Sequence, residues 1–379
     1  IFGSSDTMTP ITIRPVRTKN DHDRFIKFLW KIYEGNSAWV PPLLMDRRKL
    51  MDKQKNPFYR HAEAEFYIAE QGGEMVGRIA AIVNHNHNKE HNDRVGFFGF
   101  FECVDDQEVA NVLFAEAQEF VRRHGMTALR GPVSPSVNDE FGLLVEGFDL
   151  SPTVLMPYNP PYYARLIEGY GFAKAKDLYS YHLSQETVYS EKFQRVNLMV
   201  KERNHLTLRS LDMKNFQRDI ELLKEVYNAA WAKNWGAVPM TMEEIDALAA
   251  DLKQVLVPDL VIFAESKGKT IGFALSLPDI NVPLKYNKKG RLLPGLFQLF
   301  FRKKEINLVR IIVLGVLPEY LNTGAGGVLF YETAVRAKRL GYGYGEAGWI
   351  LEDNTRMVKS AEMMKGTINK RYRVFEMPV

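Results

Sequence analysis

Apolar residues alternate with polar ones, or run in short blocks, and stretches spaced at three to four residues separate those blocks, a pattern that predicts interleaved strands and helices. ITIRPV, Ile11 to Val16, predicts an opening strand, and the similar LTLRSL, Leu206 to Leu211, stands 195 positions later. FYIAEQGGEMVGRIAAI from Phe66 matches VIFAESKGKTIGFALSL from Val261 at the same offset of 195, and each predicts a hairpin turning at Gly73 or Gly268. Helical spacing covers Phe25 to Tyr33 and Ile220 to Trp231, followed by Val40-Pro41 and Val238-Pro239. Asn159 and Asn354, also 195 apart, are each expected to open a helical stretch. The chain therefore looks like a tandem duplication of one α/β (α+β) domain, with units at 8–190 and 200–379 joined near residues 184–204.

The most informative stretch runs from Leu308 to Met364 as strand, glycine-bearing loop, helix, strand and helix. LVRIIVLGV carries Gly315 near its end, where a strand glycine marks a bulge or a close backbone approach. Gly324, Ala325 and Gly326 then open a helix whose apolar positions continue to Gly341. Small residues at a helix start leave backbone N–H groups and a positive dipole end for a phosphate or pyrophosphate. A P-loop would need Lys and Ser/Thr where Gly327 and Val328 stand, and a dinucleotide fingerprint would need glycine at Leu329. In the first unit the matching turn is CVDDQEVANVLF, where Asp105 and Asp106 can cap the helix and would repel an anion, so the cradle is expected in the second unit only.

On the loop VLPEYLNTGAGGVL, the preceding strand and the helix start at Asn354, the sequence resembles the GNAT superfamily of acyl-coenzyme A-dependent N-acyltransferases. The resemblance implies two tandem GNAT-like domains, each a mixed, mostly antiparallel sheet flanked by helices. It implies acyl-coenzyme A, acetyl or longer, as co-substrate, without a metal. The cofactor-binding residues it implies are Leu314, Gly315 and Val316 on the strand, Leu321, Asn322, Thr323, Gly324, Ala325 and Gly326 in the loop, and Asn354. Leu321 stands where the family carries Arg or Gln, and Asn322 where glycine is common. Amide formation from a thioester needs a base to uncharge the amine, and Glu346 and Glu352 on or after the next strand are the candidates. The family's leaving-group tyrosine has no counterpart among Ala361, Glu362 and Met363.

Composition narrows the partners. A formal charge of +4 without a dense basic run gives no footprint for nucleic acid, and the single Cys103 excludes an intrachain disulfide. These features and the lack of an 18-residue apolar span predict a cytoplasmic protein, and IFGSSDT looks like a remnant ahead of Met8. Each unit has one extra piece: Pro132 to Tyr158 in the first, and KKGRLLPGLFQLFFRKK before Leu308 in the second. The latter, apolar at its centre and basic at both ends, predicts a covering helix, a lid for a long acyl chain, or a peripheral membrane contact over residues 290–304. PFYRHAEAEFY and VNDEFGLL could present polar groups to an acceptor at the junction, and Trp235 and Trp349 could line its pocket. His85, His87 and His91 are expected in a solvated loop rather than on a metal. The leading expectation is transfer of an acyl group from coenzyme A to a small or amphiphilic amine. An aminoacyl-tRNA-dependent transferase of the same fold and a non-catalytic coenzyme A-binding protein are the alternatives.

Overall fold

The computed structural model describes residues 9–188, 191–232 and 234–379, so the stretch before Met8 lies outside the described residues. The first half runs β1 (Ile11–Pro15), α1 (Lys19–Ile32), α2 (Leu44–Met51), β2 (Ala62–Gln71), β3 (Glu74–Asn84), α3 (His85–His91), β4 (Val95–Cys103), α4 (Gln107–Arg123) and β5 (Ala128–Gly131). The short β6 (Val133–Ser134), β7 (Glu140–Phe141) and β8 (Leu143–Glu146) precede α5 (Tyr163–Tyr170) and β9 (Ala173–Ser184). Helices α6 (Gln185–Val188) and α7 (Glu191–Arg203) lead into the second half. That half runs β10 (Leu206–Ser210), α8 (Phe216–Trp231), α9 (Met242–Leu252), β11 (Val261–Ser266), β12 (Lys269–Pro278), α10 (Asn281–Leu284), α11 (Leu292–Arg302) and β13 (Leu308–Val316). It closes with α12 (Ala325–Arg339), β14 (Tyr344–Leu351), α13 (Thr355–Met363) and β15 (Thr367–Pro378).

The repeat is kept in register. Ile11 faces Gln71 as Leu206 faces Ser266, and the hairpins bulge at the equivalent points Ala69/Glu70 and Ala264/Glu265. The ion pair tying the first strand of each half to its hairpin also recurs, Arg14 to Glu70 at 3.0 Å and Arg209 to Glu265 at 2.7 Å.

All but β6 and β7 join one mixed sheet in the order β1-β2-β3-β4-β5-β15-β9-β14-β13-β12-β11-β10, with β8 also against β15. The closing strands are exchanged: β9, from the first half, pairs with β14, and β15, from the second, pairs with β5. They meet antiparallel at the centre, where Arg371 faces Tyr179. Helices α4 and α12 each bury an apolar stripe on the sheet, Val109, Leu113 and Phe114 in one and Val328, Leu329 and Phe330 in the other.

Each half has one parallel strand pair that starts together and then separates. β4 and β5 pair from Val95/Ala128 to Phe97/Arg130, and β13 and β14 from Leu308/Tyr344 to Ile311/Ala347. In the first half the chain fills its own opening: the Phe100 N–H donates to the Ser134 hydroxyl at 2.8 Å, and a Cβ on Gly99 would lie 1.7 Å from the Val133 carbonyl oxygen.

Two local expectations change. The histidine segment is helix α3, because the Asn84 side chain accepts the Asn86 and His87 N–H groups and caps it. His87 is buried against Phe97, and burial pushes its pKa down to about 3, which keeps the ring neutral. Asn159 opens no helix; buried four residues ahead of α5, it accepts the Leu144 N–H at 2.7 Å instead.

Candidate active site

Strand β13 separates from β14 because it carries an extra residue. Opposite β12, Leu275 faces Val313 while Ser276 faces Ile311, so Ile312 is unpaired and bulges. Beyond the bulge Leu314, Gly315 and Val316 pair only with β12 among the described residues. Gly315 is required by α8: a Cβ there would sit 2.4 Å from the Trp231 ring.

The strand then leads through Pro318 into α12, whose first turn has the features of an anion cradle. Gly324 is the N-cap at φ +87°, a left-handed conformation that favours glycine, and a Cβ there would lie 3.2 Å from Val200. The Thr323 hydroxyl accepts the Ala325 N–H at 3.3 Å, and the Gly326 and Gly327 N–H groups have no partner among the described residues. Leu321 and Asn322 are exposed beside them. The Arg356 guanidinium, from the first turn of α13, donates to the Asn322 side-chain Oδ1 at 3.1 Å and brings to the loop the positive charge that Leu321 does not. Asn354 caps α13 by accepting the Met357 N–H at 3.2 Å. Helix α4 is the contrast, since its N-cap Asp106 accepts the Glu108 and Val109 N–H groups itself.

A cavity of about 530 Å³ lies between the halves, walled by both extra pieces and by no residue of β13. Residues 132–158 contribute Ser136, Asn138, Asp139 and Glu140, and the second piece contributes Leu292, Leu296 and Leu299 of α11. The first piece is bonded to the segment that leads into the second: the Val154 N–H donates to Asp279 at 2.8 Å and the Asn281 amide to the Pro152 carbonyl at 2.9 Å. Asn138 links the cavity to the strand, for its side-chain oxygen accepts the Tyr227 hydroxyl at 2.7 Å, Tyr227 stacks on Trp231, and Trp231 abuts Gly315.

Part of the cavity wall is acidic. Arg47 pairs with Glu140, and His61 lies 3.1 Å from Glu244. Burial opposes charge on that imidazole, but the Glu244 carboxylate outweighs it and raises its pKa. Asp139 accepts the Ser136 hydroxyl at 2.6 Å and has no cation against it among the described residues. Its remaining surface belongs to the cavity wall; loss of water, with Glu140 and Glu244 near, pushes its pKa up to about 7. PFYRHAEAEFY meets α9 across the junction at His61, and VNDEFGLL meets the second half at Asn138, whose amide donates to the Val238 carbonyl at 3.4 Å. Their individual roles had no sequence signal, because Glu244 comes from the other half.

The predicted bases are placed outside this cavity, Glu346 on β14 opposite Arg310 of β13 and Glu352 just after β14. Glu346 is 1% exposed and accepts from Lys370 at 2.7 Å, Asn369 at 3.0 Å and Thr153 at 2.9 Å. Burial works to raise its pKa, but the Lys370 ammonium and these bonds hold it below the ordinary value. Glu352 accepts the Asp177 N–H at 3.0 Å and pairs with Lys174 at 2.7 Å. Neither lines the cavity. Trp235 and Trp349 pack on Phe141 rather than on the cavity, and Tyr372 is a buried residue of β15. Among the described residues no cluster of three His, Cys, Asp or Glu side chains is placed to hold a metal, and no helix is long and apolar enough to cross a membrane.

No family profile matches the chain. It is 36% identical to the bacterial ceramide synthase of Caulobacter vibrioides over 380 aligned positions, 98% of each chain. It is 32% identical to protein YghO of Escherichia coli over 372 positions, 96% of this chain and 94% of that one. Among solved structures it superposes on a tandem GNAT protein from the clavulanic acid biosynthesis pathway with TM-score 0.56 and 11% identity, covering 97% and 98% of the two chains. A GCN5-related N-acetyltransferase from Sphaerobacter thermophilus gives TM-score 0.54 and 12% identity over 97% of this chain and 95% of that one. The fold is thus the tandem GNAT fold.

Proposed function

This chain belongs to the family of the Caulobacter bacterial ceramide synthase and Escherichia coli YghO, and on that premise we propose that it is an N-acyltransferase moving an acyl group from acyl-coenzyme A to a long-chain, amphiphilic amine. The observation that carries the reading is the bulged strand β13, parted from β14. It ends beside Arg356 at a helix start whose Gly326 and Gly327 amides have no partner among the described residues, and it is linked through Trp231, Tyr227 and Asn138 to a cavity lined by both carboxylates and leucines.

The loop fits a pyrophosphate: the Gly326 and Gly327 N–H groups would donate to its oxygens, Gly324 leaves the approach open, and Arg356 would add charge. Leu314, Gly315 and Val316, unpaired on the side toward β14, would hold the pantetheine amides. Bound there, acyl-coenzyme A supplies an activated thioester carbonyl. The amine is drawn to Asp139, a cavity carboxylate without an ion-pair partner among the described residues. With a pKa about 7, Asp139 can take a proton from an ammonium at neutral pH, which Glu346, committed to Lys370, is poorly placed to do. The leucines of the wall, Leu284, Leu292 and Leu296, suit the amine's hydrocarbon tail. A ceramide is an N-acylated long-chain amino alcohol, and the relative's name agrees with such an acceptor.

The test is calorimetric titration of coenzyme A and thioesters from acetyl to palmitoyl into wild type and Gly324→Glu, with mass spectrometry of the products formed from long-chain and short polar amines. Binding lost in the variant, with an amide formed from the long-chain amine, is expected. Binding without product from any amine would make the protein a coenzyme A-binding module. No binding by wild type would end the coenzyme A reading. Much faster turnover of a small polar amine would overturn the amphiphilic acceptor.

A further inference from the structure

Among the described residues, helix α11 carries the three exposed phenylalanines. Gly295 is its only buried residue, packed where a Cβ would lie 3.0 Å from Leu43 and 2.9 Å from Asn287. Its start is tied to the first half by the Trp30 indole donating to the Lys288 carbonyl at 2.7 Å and the Leu44 N–H to the Gly290 carbonyl at 2.8 Å. The outer side is left bare: Leu293 is 77% exposed, Phe297 57%, Phe300 79% and Phe301 62%. Three large aromatic rings in open water on a rigidly anchored helix form an apolar patch of the kind that marks an interaction surface.

Two further observations specify what covers it. Lys288, Lys289 and Arg291 precede the helix and Lys303 and Lys304 follow it, all exposed and without a carboxylate partner among the described residues. Arg302 is excluded from that count, since it pairs with Glu305 at 2.7 Å. A short apolar helix edged by unpaired cations complements an anionic lipid surface, the rings entering the acyl boundary and the ammonium groups meeting the headgroups. The inner row of the same helix, Leu292, Leu296 and Leu299, lines the cavity. One element therefore faces water on one side and the cavity on the other.

We infer that α11 docks the protein on an anionic bilayer leaflet, with Leu293, Phe297, Phe300 and Phe301 buried among the lipids and the inner leucines bordering the route from the bilayer into the cavity. Docking stands independently of turnover; only the identity of the cargo, an amphiphilic amine, rests on the N-acyltransferase reading.

Vesicle flotation of the full chain without substrates tests it. The probes are phosphatidylcholine vesicles and vesicles in which about one third of the lipid is phosphatidylglycerol. Wild type is expected to float with the anionic vesicles and much less with the neutral ones. Phe297→Ser/Phe300→Ser/Phe301→Ser should cut binding to anionic vesicles at least about tenfold, because three ring burials are lost. Lys288→Glu/Lys289→Glu/Lys303→Glu/Lys304→Glu should abolish the preference for anionic lipid, while Leu198→Ser/Met199→Ser, at exposed apolar residues of α7, should bind as wild type. Failure of wild type to float, or flotation of the triple serine variant at the wild-type level, overturns the inference. So does a wild-type dimer, by light scattering, that the triple serine variant lacks while neither binds vesicles; a second copy would then cover the face.

Discussion

Asp139 owes its chemistry to its surroundings. Its carboxyl is held protonated to about pH 7 by the dry cavity and by Glu140 and Glu244, so base function requires its ionised form and activity should rise with pH through that value. Asp139→Asn should lose this limb and lower kcat by about 100-fold or more, read in a pH–rate profile, while Glu346→Gln should leave the limb in place. The same shift bears on stability. Between roughly pH 4 and pH 7 the folded chain holds a proton at Asp139 that the unfolded chain has released, so this group makes stability fall as pH rises across the window. In Asp139→Asn that contribution should vanish from urea midpoints measured at several pH values. Glu346 and Lys370 behave in the opposite way, as a buried pair whose value lies in staying together. Lys370→Met should cost about 3–5 kcal/mol by stranding the carboxylate, and adding Glu346→Gln should recover much of it. The sequence pointed to Glu346 as a carboxylate on the strand after the glycine loop, but Lys370, the partner that explains it, lies on a strand whose neighbours no periodicity reveals.

Helices α4 and α12 occupy matching places yet end differently, and that difference was legible, since Asp105-Asp106 and Gly324-Ala325-Gly326 carry opposite meanings at a helix start. What the sequence could not supply was Arg356. It lies past the intervening strand, and only the packing of α13 beside the loop places its guanidinium on Asn322. Arg356→Ala should weaken coenzyme A binding by about tenfold, the loss of one charge-assisted contact, raising KM for the thioester with little change in kcat. An unchanged calorimetric Kd would remove Arg356 from the site. The bulge at Ile312 was half legible: Gly315 signalled an irregularity nearby, but its direct cause is the Trp231 ring, brought by a helix from earlier in the chain. The histidine segment misled because polar composition suggests a loop, and one Asn84 cap was enough to wind it into α3.

The duplication was readable from a constant offset, and the hairpin registers repeat it residue for residue. The exchange of closing strands was not, because β9 and β15 have similar alternation and pairing with either half satisfies the same pattern. Its effect is that neither half is complete alone. A fragment of residues 9–184 should lack the partner of β5 and carry β9 without β14, so it is expected to aggregate or to lack a cooperative melt; a soluble monomeric fragment with a sharp transition would contradict this. The same exchange sets a timetable for the growing chain. Gly131 waits for Phe375, so at usual synthesis rates β5 leaves the ribosome roughly 10 to 50 s before its mate exists. During that interval the nascent protein presents a bare strand edge, and guarding it falls to whatever chaperone meets the polypeptide at the tunnel mouth.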